Sequence, residues 1–142
     1  MKFLKYILIV IIFFFAKEKS EAQCIPSDHV KTCIPKLVGG FSFLKSYEIN
    51  GREGRLEKVE YSYPFAKGTQ YMVNICSADG GNQGLVVTLY DASRKQLATS
   101  VMNGQQLSAI VFNCQSTGIY YITYTFDNST SYCGGSALGF KR

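Results

Sequence analysis

Turn signals recur at short intervals over residues 41–142: Asn50-Gly51, Lys67-Gly68, Asp79-Gly80-Gly81, Asn103-Gly104, Thr117-Gly118 and Gly134-Gly135. Between them lie runs rich in Val, Ile, Thr, Tyr and Phe that mostly alternate apolar with polar residues. Alternation between closely spaced turns is the pattern of half-buried strands. Strands are expected near 41–49, 56–64, 69–77, 84–91, 96–101, 106–114, 118–126 and 136–141. About eight strands with one apolar face each predict an all-β, two-layer antiparallel β-sandwich of jelly-roll-like form.

The first residues follow a different rule. Lys2 and Lys5 precede an unbroken apolar run from Tyr6 to Ala16, and a polar stretch ends at Ser20-Glu21-Ala22. That order is a secretory signal peptide, residues 1–22. As a helix the apolar run rises only about 16 Å, against a hydrocarbon core of roughly 30 Å, so no membrane span is expected. A lipid anchor on Cys24 is disfavoured, because Glu21-Ala22-Gln23 lacks the small apolar pattern of such a site. Cleavage removes Lys2, Lys5, Lys17 and Lys19 with Glu18 and Glu21, leaving 11 basic and 8 acidic residues and a net charge of +3. With no basic cluster beyond the pairs Arg94-Lys95 and Lys141-Arg142, nucleic acid is not an expected partner. The rest is one domain: an N-terminal arm, 23–40, and a sandwich, 41–142.

All five cysteines, Cys24, Cys33, Cys76, Cys114 and Cys133, lie beyond the signal. In an exported chain they predict disulfides and an extracytoplasmic place of work: periplasm, cell surface or extracellular. Zinc is disfavoured by the absence of any CxxC pair and by a single histidine, His29. An odd count leaves one thiol free, capped, or bridging two chains, so the chain is expected as a monomer or a disulfide-linked dimer.

Period-two geometry assigns faces. Leu85, Val87 and Leu89 share one, and Val86, Thr88 and Tyr90 the other, which is less apolar and expected nearer solvent. Ile110, Phe112 and Cys114 fall together. In the stretch GIYYITYTF, residues 118–126, Tyr120, Ile122, Tyr124 and Phe126 point one way, leaving Tyr121 alone among the tyrosines on the other face. Tyr120 and Tyr124 are therefore expected in the core, and Tyr121 is a weak candidate for binding. With no Trp, sugar stacking is less expected.

From YSYPFAKGTQYMVNI through GLVVTLYDASRKQLATS to SAIVFNCQSTGIYYITY, about residues 60–126, the chain resembles the bacterial pre-peptidase C-terminal domain and related small secreted β-sandwich proteins. The resemblance rests on Tyr63 and Phe65, Gly68-Thr69, Tyr71 to Ile75, the strand from Leu85 to Asp91, and Gly118 to Tyr121. It implies a β-sandwich that works as an appendage beside a secreted hydrolase, although none is present in this sequence. Where that family often carries acidic residues, Val86 and Thr88 stand here, which weakens any dependent calcium site. Asp91 matches the family's turn aspartate and is expected to bond backbone N–H groups two residues on.

If successive strands alternate in direction, Cys76 and Cys133 fall at one end and are the expected pair. Cys114 then lies at the opposite end, where the first strand begins, nearer Cys24 or Cys33. The segment CIPSDHVKTCIPKL repeats Cys-Ile-Pro and reads as a disulfide-tethered arm, with Ser27 capping a short helical turn through His29 and Val30.

Catalytic residues are not expected. His29 has no serine in a strained turn to act on, and Glu48, Glu53, Glu57 and Glu60 are interspersed with Lys45, Arg52, Arg55 and Lys58 as in a solvated charged hairpin. The loops SADGGNQG, 77–84, and DNSTSYCGG, 127–135, lie at one end by the same alternation and are the expected recognition elements, with Asp79, Asn82, Asp127 and Asn128 as candidate contacts or Ca²⁺ oxygens. No other cofactor is expected. The leading function is a secreted, non-catalytic module that binds a protein or glycan at the cell surface or assists an exported partner. A structural or self-associating envelope protein is the alternative, and a small secreted hydrolase the third.

Overall fold

The computed structural model describes residues 23–77 and 84–142. The expected signal peptide, together with Asp79 and Asn82, lies outside the described residues. A short helix α1 (Pro26–Cys33) and a single 3-10 turn (Ile34–Lys36) precede ten strands. These are β1 (Ser42–Asn50), β2 (Lys58–Phe65), β3 (Gln70–Cys76), β4 (Leu85–Tyr90), β5 (Gln96–Thr99), β6 (Val101–Met102), β7 (Gln105–Gln106), β8 (Ala109–Asn113), β9 (Gly118–Phe126) and β10 (Cys133–Lys141). The two beyond the expected eight, β6 and β7, are two-residue strands flanking Asn103-Gly104, a left-handed turn pair that makes a tight hairpin.

Two antiparallel four-stranded sheets face each other, with orders β1-β10-β3-β8 and β2-β9-β4-β5. Apart from the β4–β5 hairpin, each step between these eight strands crosses from one sheet to the other, which is the jelly-roll arrangement. Strand directions alternate as expected, but the connections are arches. The charged segment from Lys45 to Glu60 is accordingly not a hairpin, since β1 pairs with β10 and β2 with β9. One end of the sandwich gathers the ends of β1 and β9 and the starts of β4 and β10: Gly51 donates to the Tyr132 carbonyl (2.8 Å) and Asp127 to that of Gly84 (2.6 Å). The opposite end joins Gly68 and Thr69 to Cys114.

The inner faces meet in a core built from the residues that alternation selects. Leu85, Val87, Leu89, Ile122 and Tyr124 of one sheet face Ile49, Val73, Ile75 and Leu138 of the other, each buried almost completely. Burial of such side chains stabilises by about 1.5–3 kcal/mol apiece. Phe65 stacks on Tyr71 (centroids 3.8 Å apart) and on Tyr120 (4.9 Å), an aromatic block at the end opposite the paired cysteines. Val86 and Thr88, expected nearer solvent, are only 7% exposed. β4 is interior to its sheet, with Val86 opposite Thr125 of β9 and Thr88 between Thr123 of β9 and Thr99 of β5, whose hydroxyl it meets at 3.3 Å.

The cysteines correct the expected pairing. Disulfides join Cys24 to Cys133 and Cys33 to Cys76, and Cys114 is a buried free thiol. Cys76 and Cys133 do share an end, since Gly135 pairs with Cys76 across β10 and β3, but each is bridged to the arm. The arm does not wait where β1 begins. It starts at the far end with α1 and descends along the outer face of β10, so that Leu37 meets Gly139 and Lys141 bonds the Gly39 carbonyl (3.0 Å). Room for it comes from the small outward residues Gly135, Ala137 and Gly139: a Cβ on Gly135 would run into the backbone of His29 and Val30. Asn74, outward on β3 and buried, ties the contact by donating to the Cys33 carbonyl (2.9 Å) and accepting from the Ala137 amide (2.9 Å). Ser27 is not a cap. The helix begins one residue earlier, with Pro26 at its first position and Ile25 before it, because proline presets the first-turn φ and has no N–H to satisfy.

Candidate recognition surface

The loop end is assembled from chain turns that hold one another. Asn50 Oδ1 accepts from the Arg52 amide (2.8 Å), and Gly51 receives Gly54 and Leu56 on its carbonyl. Across from it, Ser129 Oγ accepts from the Tyr132 amide (3.2 Å), and the Tyr132 ring packs on Phe126 (5.3 Å) and over Gly54. Asp127 and Asn128 are exposed beside a shallow recess of about 350 Å³ completed by Gly84, Gln106 and Thr130. Among the described residues, six non-glycines adopt positive φ, and five of them, Arg52, Glu53, Asn103, Asn128 and Tyr132, belong to the loops of this end. Asparagine tolerates that conformation, whereas Arg, Glu and Tyr pay a steric penalty for it.

Tyr121 is elsewhere. It lies on the outer face of β9 opposite Tyr90, toward the other end, and the Arg94 guanidinium sits 3.7 Å over its ring. Arg94 extends from the β4–β5 turn to Glu60, with Nη1 2.8 Å from the carboxylate, which also accepts from Thr123 (2.8 Å). Burial alone would raise the Glu60 pKa, but the hydrogen bonds from Arg94 and Thr123 and the charges of Arg94 and Lys58 hold it below its usual value. The turn that aims Arg94 is organised by Asp91, whose Oδ1 accepts from the Ser93 amide (2.9 Å), the Ser93 hydroxyl (2.8 Å) and the Lys95 amide (2.9 Å). These bonds, led by the one from Lys95, lower the Asp91 pKa. Tyr121 is therefore the floor of an ion-paired latch, with one ring face taken.

Cys114 is sealed in the opposite end. Its Sγ contacts the Ser116 carbonyl (3.2 Å) and Tyr120 Oη (3.6 Å), and Tyr120 donates to the same carbonyl (2.6 Å). Burial, with Cys114 adjacent, pushes the Tyr120 pKa up to about 12. At 3% exposure Cys114 is closed off from a second folded chain, and its expected partners Cys24 and Cys33 are bonded instead to Cys133 and Cys76. Among the described residues, no three of His, Cys, Asp and Glu converge as a metal centre would require, and no helix is long and apolar enough to cross a membrane.

In the sequence Arg52 and Glu53 read only as members of a solvated charged hairpin, and Tyr132 only as part of the 127–135 loop. Asn50-Gly51 marked a turn, but the left-handed backbone at Arg52, Glu53 and Tyr132 belongs to residue types that carry no turn signal of their own, and the two loops are joined by the bond from Gly51 to the Tyr132 carbonyl.

No family model matches the sequence, and no curated protein matches it. Solved structures are similar at a distance. PliG of Aeromonas hydrophila, a periplasmic lysozyme inhibitor of g-type lysozyme, superposes with a TM-score of 0.46 and 12% identity over 72% of this chain and 87% of that one. The pre-peptidase C-terminal domain of a Bacillus anthracis collagenase gives 0.45 and 19% over 73% and 91%. A pre-peptidase C-terminal domain is thus among its structural neighbours. Likeness at this level carries no argument about what the chain binds.

Proposed function

We propose that this chain is a secreted, non-catalytic jelly-roll module that binds a protein partner through the loop end formed by residues 51–56, Gln106 and 127–132. The observation that carries the reading is the concentration of left-handed, non-glycine backbone in those loops. Strain of roughly 1–3 kcal/mol per residue persists where the surroundings over-determine it, and it collects at sites of recognition. The loops stand on a scaffold stapled by two disulfides, bonds that form in oxidising compartments. A protein suits this end better than a glycan. The recess is shallow, the chain has no Trp, and the Tyr132 ring of this end packs against Phe126 and Gly54.

The test is capture from an extract of the native cell envelope by immobilised wild type, by Asp127→Lys/Asn128→Lys, and by Lys67→Glu at the opposite end. A partner recovered by the wild type and by Lys67→Glu, but at least tenfold less by the loop variant, supports the reading. Repeated captures that recover nothing, equal recovery by all three, or loss with Lys67→Glu alone overturns it. Binding to purified surface glycan with no captured protein overturns the choice of partner.

A further inference from the structure

The two open sides of the sandwich are not alike. On the β1/β2 side, β1 carries a bulge between Phe43 and Lys45, Tyr61 Oη of β2 donates to the Glu48 carbonyl (2.6 Å), and β2 contains Pro64, which has no N–H to offer a further strand. Bulges, lysines and prolines are the devices by which edge strands refuse further pairing. On the β5/β8 side β5 is bulged at Leu97 against β4, but β8 itself carries no bulge, lysine or proline. From Gln96 to Phe126 the sequence contains no charged residue and no proline. β8 pairs with β3 and with no other described strand. Val111, Met102 and Leu107 are exposed there, along a groove of about 400 Å³ that also takes in Leu97 and Ile110.

The bonding of β8 states which of its residues face the open edge. Ile75 donates to the Ser108 carbonyl, and Cys114 exchanges bonds with Thr69 and Gly68, so the even-numbered residues turn their backbone groups to β3. In an antiparallel ladder the alternate residues, Ala109, Val111 and Asn113, turn theirs outward. These three are spaced symmetrically about Val111. The complement such an edge fits best is another copy of itself.

We infer that two copies of this chain pair antiparallel along β8 about a two-fold axis at Val111. Val111 then lies opposite Val111 of the partner subunit, and Ala109 opposite Asn113 of the partner subunit, each pair exchanging both backbone bonds. The sheets β1-β10-β3-β8 of the two copies join into one continuous sheet, and the exposed valines cover each other. The contact is isologous, as a closed dimer requires. It needs neither a cysteine nor the loop end, which stays open to a partner.

Mass measured by light scattering over a concentration series, with three variants, tests this. The wild type is expected to dimerise as concentration rises. Val111→Lys, which sets like charges opposite each other on an exposed face, is expected to weaken the dimer at least tenfold while leaving the unfolding temperature unchanged at concentrations where both proteins are monomeric. Val111→Cys is expected to give a covalent dimer on non-reducing electrophoresis, and Ser62→Cys, exposed on the guarded β2 edge, to stay monomeric. A wild type that is monomeric throughout, a dimer unaffected by Val111→Lys, or equal cross-linking from both cysteines overturns the inference. So does a monomer whose β8 takes up an uncharged extended peptide instead.

Discussion

Glu60, Arg94 and Tyr121 form a latch across the outer face of one sheet, and its strength depends on the carboxylate. Because the folded-state pKa of Glu60 is depressed, folding favours the ionised form. That contribution is present above the unfolded-state value of about 4.3 and is lost as pH falls through the lower folded value. Thermal melts taken from about pH 5 down to about pH 3 should therefore lose less stability in Glu60→Gln than in the wild type. Asp91, shifted in the same direction, supplies an acid-labile share that this variant keeps. Tyr124 is the inward counterpart of Tyr121: fully buried, it donates to Ser136 Oγ at 2.7 Å. Tyr124→Phe strands the serine hydroxyl, and chemical denaturation should register a loss of about 1–3 kcal/mol. Which tyrosine faced inward was legible from period two alone. That Tyr121 would lie beneath an arginine 27 residues earlier in sequence was not, because the approach depends on the turn Asp91 builds and on how β4 and β9 pair.

Among elements, the arm and β10 explain each other. Gly134-Gly135 read in sequence as a turn before a strand at 136–141, but β10 begins earlier, at Cys133, and runs through both glycines. In the structure Gly135, Ala137 and Gly139 are the outer face on which α1 and the following turn lie, with Cys33, Cys76 and Ala137 buried beneath Ile34 and Leu37. Gly135→Val has no space without moving the helix backbone, and should cost about 1–3 kcal/mol in urea denaturation. Removing the staple by Cys33→Ala/Cys76→Ala should cost about 2–4 kcal/mol by the same measurement. Strand boundaries were legible to within a few residues, and 118–126 matches β9 at both ends, since alternation and turn residues act locally. Arches could not be told from hairpins. The residues of a turn do not state to which sheet the next strand returns.

At the scale of the molecule, the sandwich encloses one free thiol. Cys114 lies between β8 and β9 with Tyr120 and Ser116 around it, so a thiol reagent should be inert toward the native protein and react only as denaturant opens the sandwich, tracking its unfolding curve. Rapid labelling under native conditions would contradict that burial. The sequence by itself determined the class of fold, the inward and outward faces of its strands, and the shared end of Cys76 and Cys133, because side-chain alternation and strand reversal are properties of neighbouring residues. Only the tertiary structure decided which cysteines bond, which loops are strained and which edge is left unguarded. The cysteine pairing depends on an arm that travels the length of a sheet before its first strand begins, a path set by the packing of small residues against it. The loops and the edge depend on how the strands are shared between two sheets, and neither is written in a local pattern.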